Sequence, residues 1–305
     1  MWVNQHQRKL VLMGMFLISA TFLLICSGYA QTGKKLAVFV SIPPQKYFVQ
    51  QIGKQQLEIQ VMVQPGASPA TYEPKPRQMA AISRTQIYFA IGVPFEKTWL
   101  KKIAAANPDM QVVPTDHGIQ KIPMATNHPK PEDRQGKDHQ DHHGELDPHI
   151  WLSPTLVMAQ ARTILNALVE IDPDHRAVYE ANTKVFVSQL AALDADLKNT
   201  FAGQQGFQFM VFHPSWGYFA RSYGLQQVPV EIEGKDPKPA QLKALIEYAQ
   251  KKHINIIFVQ PQFSSRSAEL VAKEIDGQVI FADPLASDWS GNLREVAQKF
   301  KAALR

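Results

Sequence analysis

Short apolar runs alternate with amphipathic stretches along most of this chain. In the first half, strands are predicted at 36–42, 57–63, 86–90 and 111–113, and helices at 44–52, 76–83 and 95–105. The second half repeats the pattern, with strands predicted at 207–212, 227–231, 254–259 and 278–282 and helices at 215–223, 238–252, 265–275 and 292–304. Strands that alternate with helices predict an α/β fold with largely parallel sheets.

A long uninterrupted helix is predicted between these two halves. No Gly or Pro occurs from Asp174 to about Thr200, and apolar residues recur there near helical spacing. At about 1.5 Å per residue this helix would be about 40 Å long, enough to run along two lobes. We therefore expect an N-terminal α/β lobe at 31–172, a rigid linking helix at 173–203 and a C-terminal α/β lobe at 204–305. A long surface helix of one large domain is the alternative.

The first 30 residues have the pattern of a secretory signal peptide. Arg8 and Lys9 precede an apolar run at 10–25, and residues 28–30 offer a small-residue cleavage site. The run is shorter than the ~20 residues that a membrane-spanning helix needs. The mature chain is therefore expected to be exported to the periplasm.

Composition limits what the exported chain could bind. Cys26 is the only cysteine, and the bulky Ile25 before it is not typical of a lipoprotein signal, so lipidation is not expected. Without Cys26 a metal would have to be held by nitrogen and oxygen ligands. The formal net charge is +5, but the basic residues are scattered among acids, so nucleic-acid binding is not expected.

Residues 117–148 differ in composition from the rest of the chain. Histidine, proline, acids and lysine dominate there, and apolar residues are few, which predicts a mobile loop. Its imidazoles could bind metal as an accessory site, and the alternative is a hydrophilic insert without a role. The candidate accessory ligands are His128, His139, His142 and His143.

Three metal-ligand side chains lie where predicted strands hand over to helices. His213 follows one strand and precedes Pro214, Asp283 follows another and precedes Pro284, and His149 comes just before a predicted helix. In open α/β sheets such positions form the ligand crevice. Two imidazoles and a carboxylate suit Zn²⁺ or a similar divalent cation, so we predict a metal site built from His149, His213 and Asp283.

Around these residues the chain resembles the zinc/manganese solute-binding proteins of ABC importers, the TroA-like or cluster A-I family. The resemblance rests on motifs that occur in order through the chain: Val63-Gln64-Pro65-Gly66-Ala67-Ser68-Pro69, Thr71-Tyr72-Glu73-Pro74, Asp147-Pro148-His149-Ile150-Trp151-Leu152, Phe212-His213-Pro214, Gly234-Lys235-Asp236-Pro237 and Asp283-Pro284-Leu285.

The resemblance implies two α/β lobes joined by a long helix, with the metal in the cleft between them. It also implies that the metal is delivered to an inner-membrane ABC permease with its own ATPase. Because the family's third ligand tends to be His in zinc-type and Glu in manganese-type members, His213 favours Zn²⁺ over Mn²⁺ as cargo. A monomer is the expected state of such a protein.

The chain departs from the family pattern at Ala70, where the family's first histidine ligand is expected. A methyl group cannot coordinate a metal, so three outcomes are open. Water could fill the fourth position, or a nearby group could replace the histidine, with Glu73, Gln45, Gln260 or a loop histidine as candidates. In the third outcome the site is weak or serves another ligand.

Two other functions compete with metal delivery. A secreted zinc hydrolase would exploit an open coordination position, but the chain has no His-Glu-x-x-His motif to supply a general base. A metal-dependent adhesin or interaction protein is the other, although no lipidation cysteine is evident to hold it at a surface. We therefore expect a binding protein and not an enzyme.

Overall fold

The computed structural model describes residues 35–125, 145–232 and 234–303. Residue contacts divide the chain into Met1–Lys35 and Leu36–Arg305. The proposed signal peptide lies outside the described residues, and all the helices and strands of the described residues belong to the second unit.

The first half of this unit forms a four-stranded parallel sheet. Its strands are β1 (Leu36–Val40), β2 (Leu57–Val61), β3 (Ile87–Ala90) and β4 (Gln111–Pro114). They are arranged in the order β2-β1-β3-β4, and all three pairings are parallel. Helices α1 (Pro43–Gly53), α2 (Pro76–Ile82) and α3 (Pro94–Ala105) connect them.

The second half repeats this arrangement with its own sheet. Its strands are β5 (Gln208–Val211), β6 (Gln226–Pro229), β7 (Ile256–Val259) and β8 (Gln278–Phe281). Their order is β6-β5-β7-β8, again parallel throughout. The associated helices are α6 (Gly217–Ser222), α7 (Pro239–Lys251), α8 (Arg266–Glu274) and α9 (Trp289–Ala303).

Two consecutive helices, α4 (Pro154–Ile171) and α5 (Arg176–Thr200), lie between the sheets in sequence. Helix α5 packs against α1 and α4 of the first half and against α9 of the second. Asn182 on α5 donates to the Ile52 carbonyl at 2.9 Å, and Asp194 nearer its end accepts from the Tyr223 hydroxyl at 3.1 Å. The long predicted helix is thus present and contacts both halves.

Several helices begin with the same local sequence, a proline followed two residues later by glutamine. Proline is favoured at the first helical turn because its missing N–H would have no intrahelical partner there. The glutamines Gln45, Gln78 and Gln241 then accept from the backbone N–H at the N-cap, at 3.3, 2.9 and 2.8 Å. These short-range contacts explain why α1, α2 and α7 begin where they do.

Burial on the second sheet alternates between its two faces. Phe209 and Val211 join a core cluster that extends through α4 and α5 to the first sheet. Met210 and Phe212 belong to a separate cluster with α7 and α8 on the opposite face. This alternation is what a period of two residues along a strand produces, so the second sheet is covered by apolar residues on both faces.

The predicted fold class is confirmed: two parallel sheets and one long helix are present. The lobe boundaries at 172 and 204 stay a prediction. Within the described part of the chain, no helix combines the length and apolar character needed to cross a membrane.

Candidate metal site

His149 lies in the segment between the first sheet and α4, and a carboxylate two residues earlier orients it. Asp147 Oδ1 accepts from the His149 backbone N–H at 2.8 Å and from its ring Nδ1 at 2.7 Å. Both residues are buried, with Asp147 fully inaccessible. Because Nδ1 donates to the carboxylate, Nε2 is left as the ring nitrogen with a free lone pair.

His213, two residues after β5, has the same arrangement. Its Nδ1 donates to Glu231 Oε1 at 2.7 Å, and its ring stacks on Phe263 with centroids 4.8 Å apart. Glu231 is buried, whereas the His213 side chain keeps 18% exposure. The free Nε2 of this ring can therefore accept an incoming cation.

The two imidazoles meet edge to face, with ring centroids 5.2 Å apart and ring planes at 68°. Two imidazoles on one tetrahedral zinc, with Zn–N distances of about 2.0–2.1 Å, would place their centroids about 5 Å apart. Burial lowers the pKa of His149, and the nearby Asp147 carboxylate opposes that shift. His149 is therefore neutral at neutral pH, which is the form that binds metal.

Asp283, two residues after β8, has one carboxylate oxygen fully occupied. Oδ1 accepts from the Gln262 side-chain amide and from the Leu285 backbone N–H, both at 2.9 Å. Asn292 also donates to the Asp283 carbonyl at 2.7 Å. The second carboxylate oxygen, Oδ2, is the one left to bind a metal.

Trp151 connects the His149 segment with the Asp283 segment. Its indole N–H donates to the Pro284 carbonyl at 2.7 Å, its carbonyl accepts from the Trp289 indole at 2.7 Å, and its ring lies 5.0 Å from that of His149. Tyr218 makes a second connection, because its hydroxyl donates to the Asp147 carbonyl at 2.9 Å. Both links join the first half of the chain to the second beside the proposed ligands.

The structure brings the two histidines together but does not complete a three-ligand set. Over residues 35–125, 145–232 and 234–303, no group of three or more His, Cys, Asp or Glu side chains is arranged to hold a metal ion. The Asp283 segment is connected to the His149 segment through the hydrogen bond between Trp151 and Pro284. The Asp283 carboxylate itself does not form one group with the two imidazoles. Its role as a ligand stays a prediction.

The sequence and the fold are similar to those of known proteins. A family model described as "ZnuA: Zinc-uptake complex component A periplasmic" matches residues 38–303. The chain belongs to the ZnuA family. Family membership makes it a metal-binding, substrate-binding component of an import system and not an enzyme, so the hydrolase alternative is not favoured. The resemblance to the metal-binding proteins of ABC importers and the expectation of zinc as cargo are both confirmed by this family membership.

Individual ZnuA relatives cover most of the chain. The "High-affinity zinc uptake system protein ZnuA" of Bacillus subtilis (strain 168) is 29% identical over 272 residues, which are 86% of this chain and 85% of that protein. A crystal structure of ZnuA has a TM-score of 0.81 at 42% identity and covers 89% of this chain and all of that one. A ZnuA deletion mutant with zinc bound has a TM-score of 0.79 at 42% identity, covering 88% and 98% of the two chains.

An adhesin shares the ZnuA fold at greater distance. The laminin-binding protein Lmb of Streptococcus agalactiae, described as a bifunctional adhesin and metal transporter, has a TM-score of 0.76 at 20% identity, over 89% of this chain and all of that one. Identity at this level shows the fold alone, so the adhesin alternative is not favoured for this chain.

The residues proposed to replace the missing ZnuA-family histidine occupy different environments. Ala70 and Glu73 are both exposed, in the loop between β2 and α2. Gln45 is fully buried, and its side-chain oxygen already accepts from the backbone N–H groups of Ser41 and Ile42 at 3.0 and 3.3 Å. Its carbonyl oxygen would have to give up these bonds in order to bind a metal.

Gln260 is also fully buried, but it contacts a proposed ligand directly. Its side-chain oxygen accepts from the His213 N–H at 3.2 Å, and its amide donates to the His213 carbonyl at 2.6 Å. The side chain therefore holds the backbone of His213 from both sides. The remaining candidates, His128, His139, His142 and His143, lie outside the described residues.

Sequence reasoning missed three residues that shape the site. Asp147 belongs to the Asp147-Pro148-His149 motif, and an acid two residues before a ligand histidine is a usable signal for an orienting carboxylate. Phe263 and Gln262 carry no such signal, because their contacts join positions 50 and 21 residues apart along the chain. Only the tertiary fold reveals them.

Proposed function

We propose that this protein captures Zn²⁺ with His149, His213 and Asp283 and delivers it to an ABC-type permease driven by a separate ATPase. The single observation that carries the proposal is the histidine pair, with rings 5.2 Å apart and each Nδ1 tied to a buried carboxylate. That arrangement leaves both Nε2 atoms without a hydrogen-bonded carboxylate, and the ring centroids lie about as far apart as two imidazoles on one zinc ion would.

Asp283 completes the site in this proposal by offering Oδ2 to the same ion. It approaches the imidazoles when the metal binds, because in the described structure the three side chains do not form one group. Two neutral imidazoles and one carboxylate give a bound Zn²⁺ a net charge of +1. Water or a further protein donor fills the fourth position that Ala70 leaves open.

The chain reaches its place of action through export. We infer that residues 1–30 are a cleaved signal peptide, that the mature protein is a periplasmic monomer without a lipid anchor, and that two lobes flank the linking helix at 173–203. A monomer leaves the metal-bound face free to meet the permease. Zinc is the preferred cargo and Mn²⁺ the weaker one, because imidazole ligands suit zinc better than manganese.

A chelator-competition titration of the metal-free mature protein with zinc and with manganese tests the proposal. We expect submicromolar zinc binding, much weaker manganese binding, and at least a tenfold loss of zinc affinity in His213→Ala and in His149→Ala, equivalent to about 1.4 kcal/mol. His117→Ala, at an exposed histidine outside the site, is the matched control. Zinc affinity that is unchanged in both site variants would remove the proposed site.

A further inference from the structure

One short segment after β7 contacts both proposed ligands of the second half. Gln260 holds the backbone of His213, Phe263 stacks on the His213 ring at 4.8 Å, and Gln262 donates to Asp283 Oδ1 at 2.9 Å. Gln260 is fully buried, and Phe263 packs against the neighbouring core cluster. Because these two residues lie on either side of Gln262 and are held in place, they fix where the Gln262 side chain points.

The contact from Gln262 determines which part of the Asp283 carboxylate is free. Oδ1 already accepts from the Leu285 backbone N–H, so the amide of Gln262 supplies its second hydrogen bond. A carboxylate oxygen offers two in-plane lone pairs, and both of those on Oδ1 are then in use. Only Oδ2 remains available, so Asp283 can bind a cation through one oxygen but not through two.

The number of oxygens that a carboxylate offers affects metal choice. Zinc in proteins is usually four-coordinate and takes a carboxylate oxygen at about 2.0–2.2 Å. Manganese favours six-coordinate sites that are rich in oxygen, for which a two-oxygen carboxylate supplies an additional donor. A carboxylate restricted to one oxygen therefore favours zinc over manganese.

We propose that Gln262 is a specificity-determining residue that keeps Asp283 a one-oxygen ligand and so favours Zn²⁺ over Mn²⁺. It acts through Asp283 and does not itself touch the metal. The inference rests on the proposed function, because it requires Asp283 to be a ligand. It adds a source of zinc preference that is separate from the identity of the His213 side chain.

The test measures zinc and manganese affinities of Gln262→Met by chelator competition. Methionine keeps the length of the side chain but cannot donate to Oδ1. We expect zinc affinity to fall about tenfold while manganese affinity is unchanged or rises, so that the zinc-to-manganese affinity ratio falls at least tenfold. Gln262→Glu, which also lacks the amide donor at neutral pH, should lower the ratio too and provides a second variant if the first folds poorly.

A double-mutant cycle separates this role from a structural one. In an Asp283→Ala background, Gln262→Met should cause no further loss of zinc affinity, because the group through which Gln262 acts is gone. Gln160→Met is the matched control: Gln160 is a fully buried glutamine on α4, and among the residues that the structure describes its amide has no hydrogen-bond partner. That control should leave the ratio unchanged.

Two results would overturn the inference. One is an unchanged zinc-to-manganese ratio in both Gln262 variants, and the other is an equal loss of zinc affinity with and without Asp283. Either result, combined with a strong effect of His213→Ala, would reject the role of Gln262 and leave the proposed function standing. Zinc binding that is insensitive to His213→Ala would instead reject the proposed function itself.

Discussion

The two halves of this protein contain matching sheets, yet their strand ends are used differently. In each sheet the strand order reverses between the two central strands, which are β1 and β3 in the first half and β5 and β7 in the second. Open α/β sheets bind ligands at such a switch point. A fully buried glutamine lies at each of these points, Gln45 after β1 and Gln260 after β7.

The partners of the two glutamines differ. Gln45 bonds to the N–H groups of Ser41 and Ile42, the Ala90 carbonyl and the Thr115 hydroxyl, and none of these partners belongs to a proposed ligand. Gln260 instead holds the backbone of His213. A buried glutamine next to the switch point thus holds backbone of its own loop in the first sheet and the backbone of a proposed ligand in the second, so a position near a strand end does not by itself identify a binding residue.

The largest expected effect comes from removing each glutamine in turn. Gln45→Met should lower the free energy of unfolding by about 2–4 kcal/mol, because buried N–H groups lose their acceptor, and should leave zinc affinity unchanged. Gln260→Met should lower zinc affinity about tenfold by freeing the His213 backbone. Urea unfolding of the metal-free protein and chelator competition measure the two effects. Equal losses of zinc affinity in both variants would contradict the comparison.

The carboxylates behind the histidines should have the next largest effect. Asp147→Asn and Glu231→Gln each remove the negative charge that orients an imidazole, and we expect a 10–100-fold loss of zinc affinity, or about 1.4–2.7 kcal/mol. Glu96→Gln is the control, since Glu96 is a buried carboxylate whose oxygens accept from the Ile91 and Gly92 N–H groups. A comparable zinc defect in the control would mean that the losses reflect general destabilisation.

A gain of affinity is expected when the missing histidine is restored. If water fills the fourth position, Ala70→His should tighten zinc binding about tenfold, or about 1.4 kcal/mol, because a nitrogen ligand replaces a solvent molecule. Ala67→His, in the same loop, is the control for simply adding an imidazole nearby. No gain in Ala70→His beyond that control would indicate that another protein group already occupies the position.

The smallest expected effect is a pH dependence of the metal-free protein. Burial lowers the pKa of His149 in the folded state, whereas the unfolded value is about 6.5. Above about pH 6.5 the ring is neutral in both states and contributes no slope. As the pH falls below that value the unfolded state takes up the proton first, so the free energy of unfolding should decrease by at most about 1.4 kcal/mol per pH unit.

Urea unfolding between pH 7 and pH 5, comparing the parent protein with His149→Gln, measures that slope. The variant should show a smaller decrease, and the exposed-residue control His117→Gln should behave like the parent. A decrease of equal size in the His149 variant would show that other groups are responsible. Zinc affinity should fall over the same interval, because protons compete with the metal for the imidazoles.

Most of the fold was predictable because its signals are local. Alternating apolar runs and amphipathic stretches indicated all eight strands of the two sheets, to within two residues or so at their ends. The absence of Gly and Pro indicated the long helix, which the structure has at Arg176–Thr200. Prolines at helix starts marked boundaries for the same reason, since a proline acts on its own backbone and its nearest neighbours.

The site was predictable only in part. By itself the sequence determined which side chains could bind a metal, that His149 and His213 lie at strand or helix ends, and that Ala70 cannot coordinate. Only the tertiary structure decided that the two rings lie 5.2 Å apart, that Glu231 orients His213, and that Gln262 donates to Asp283. The physical reason is that these contacts depend on how sheets and helices pack, which joins residues distant in sequence and leaves no periodic or local pattern.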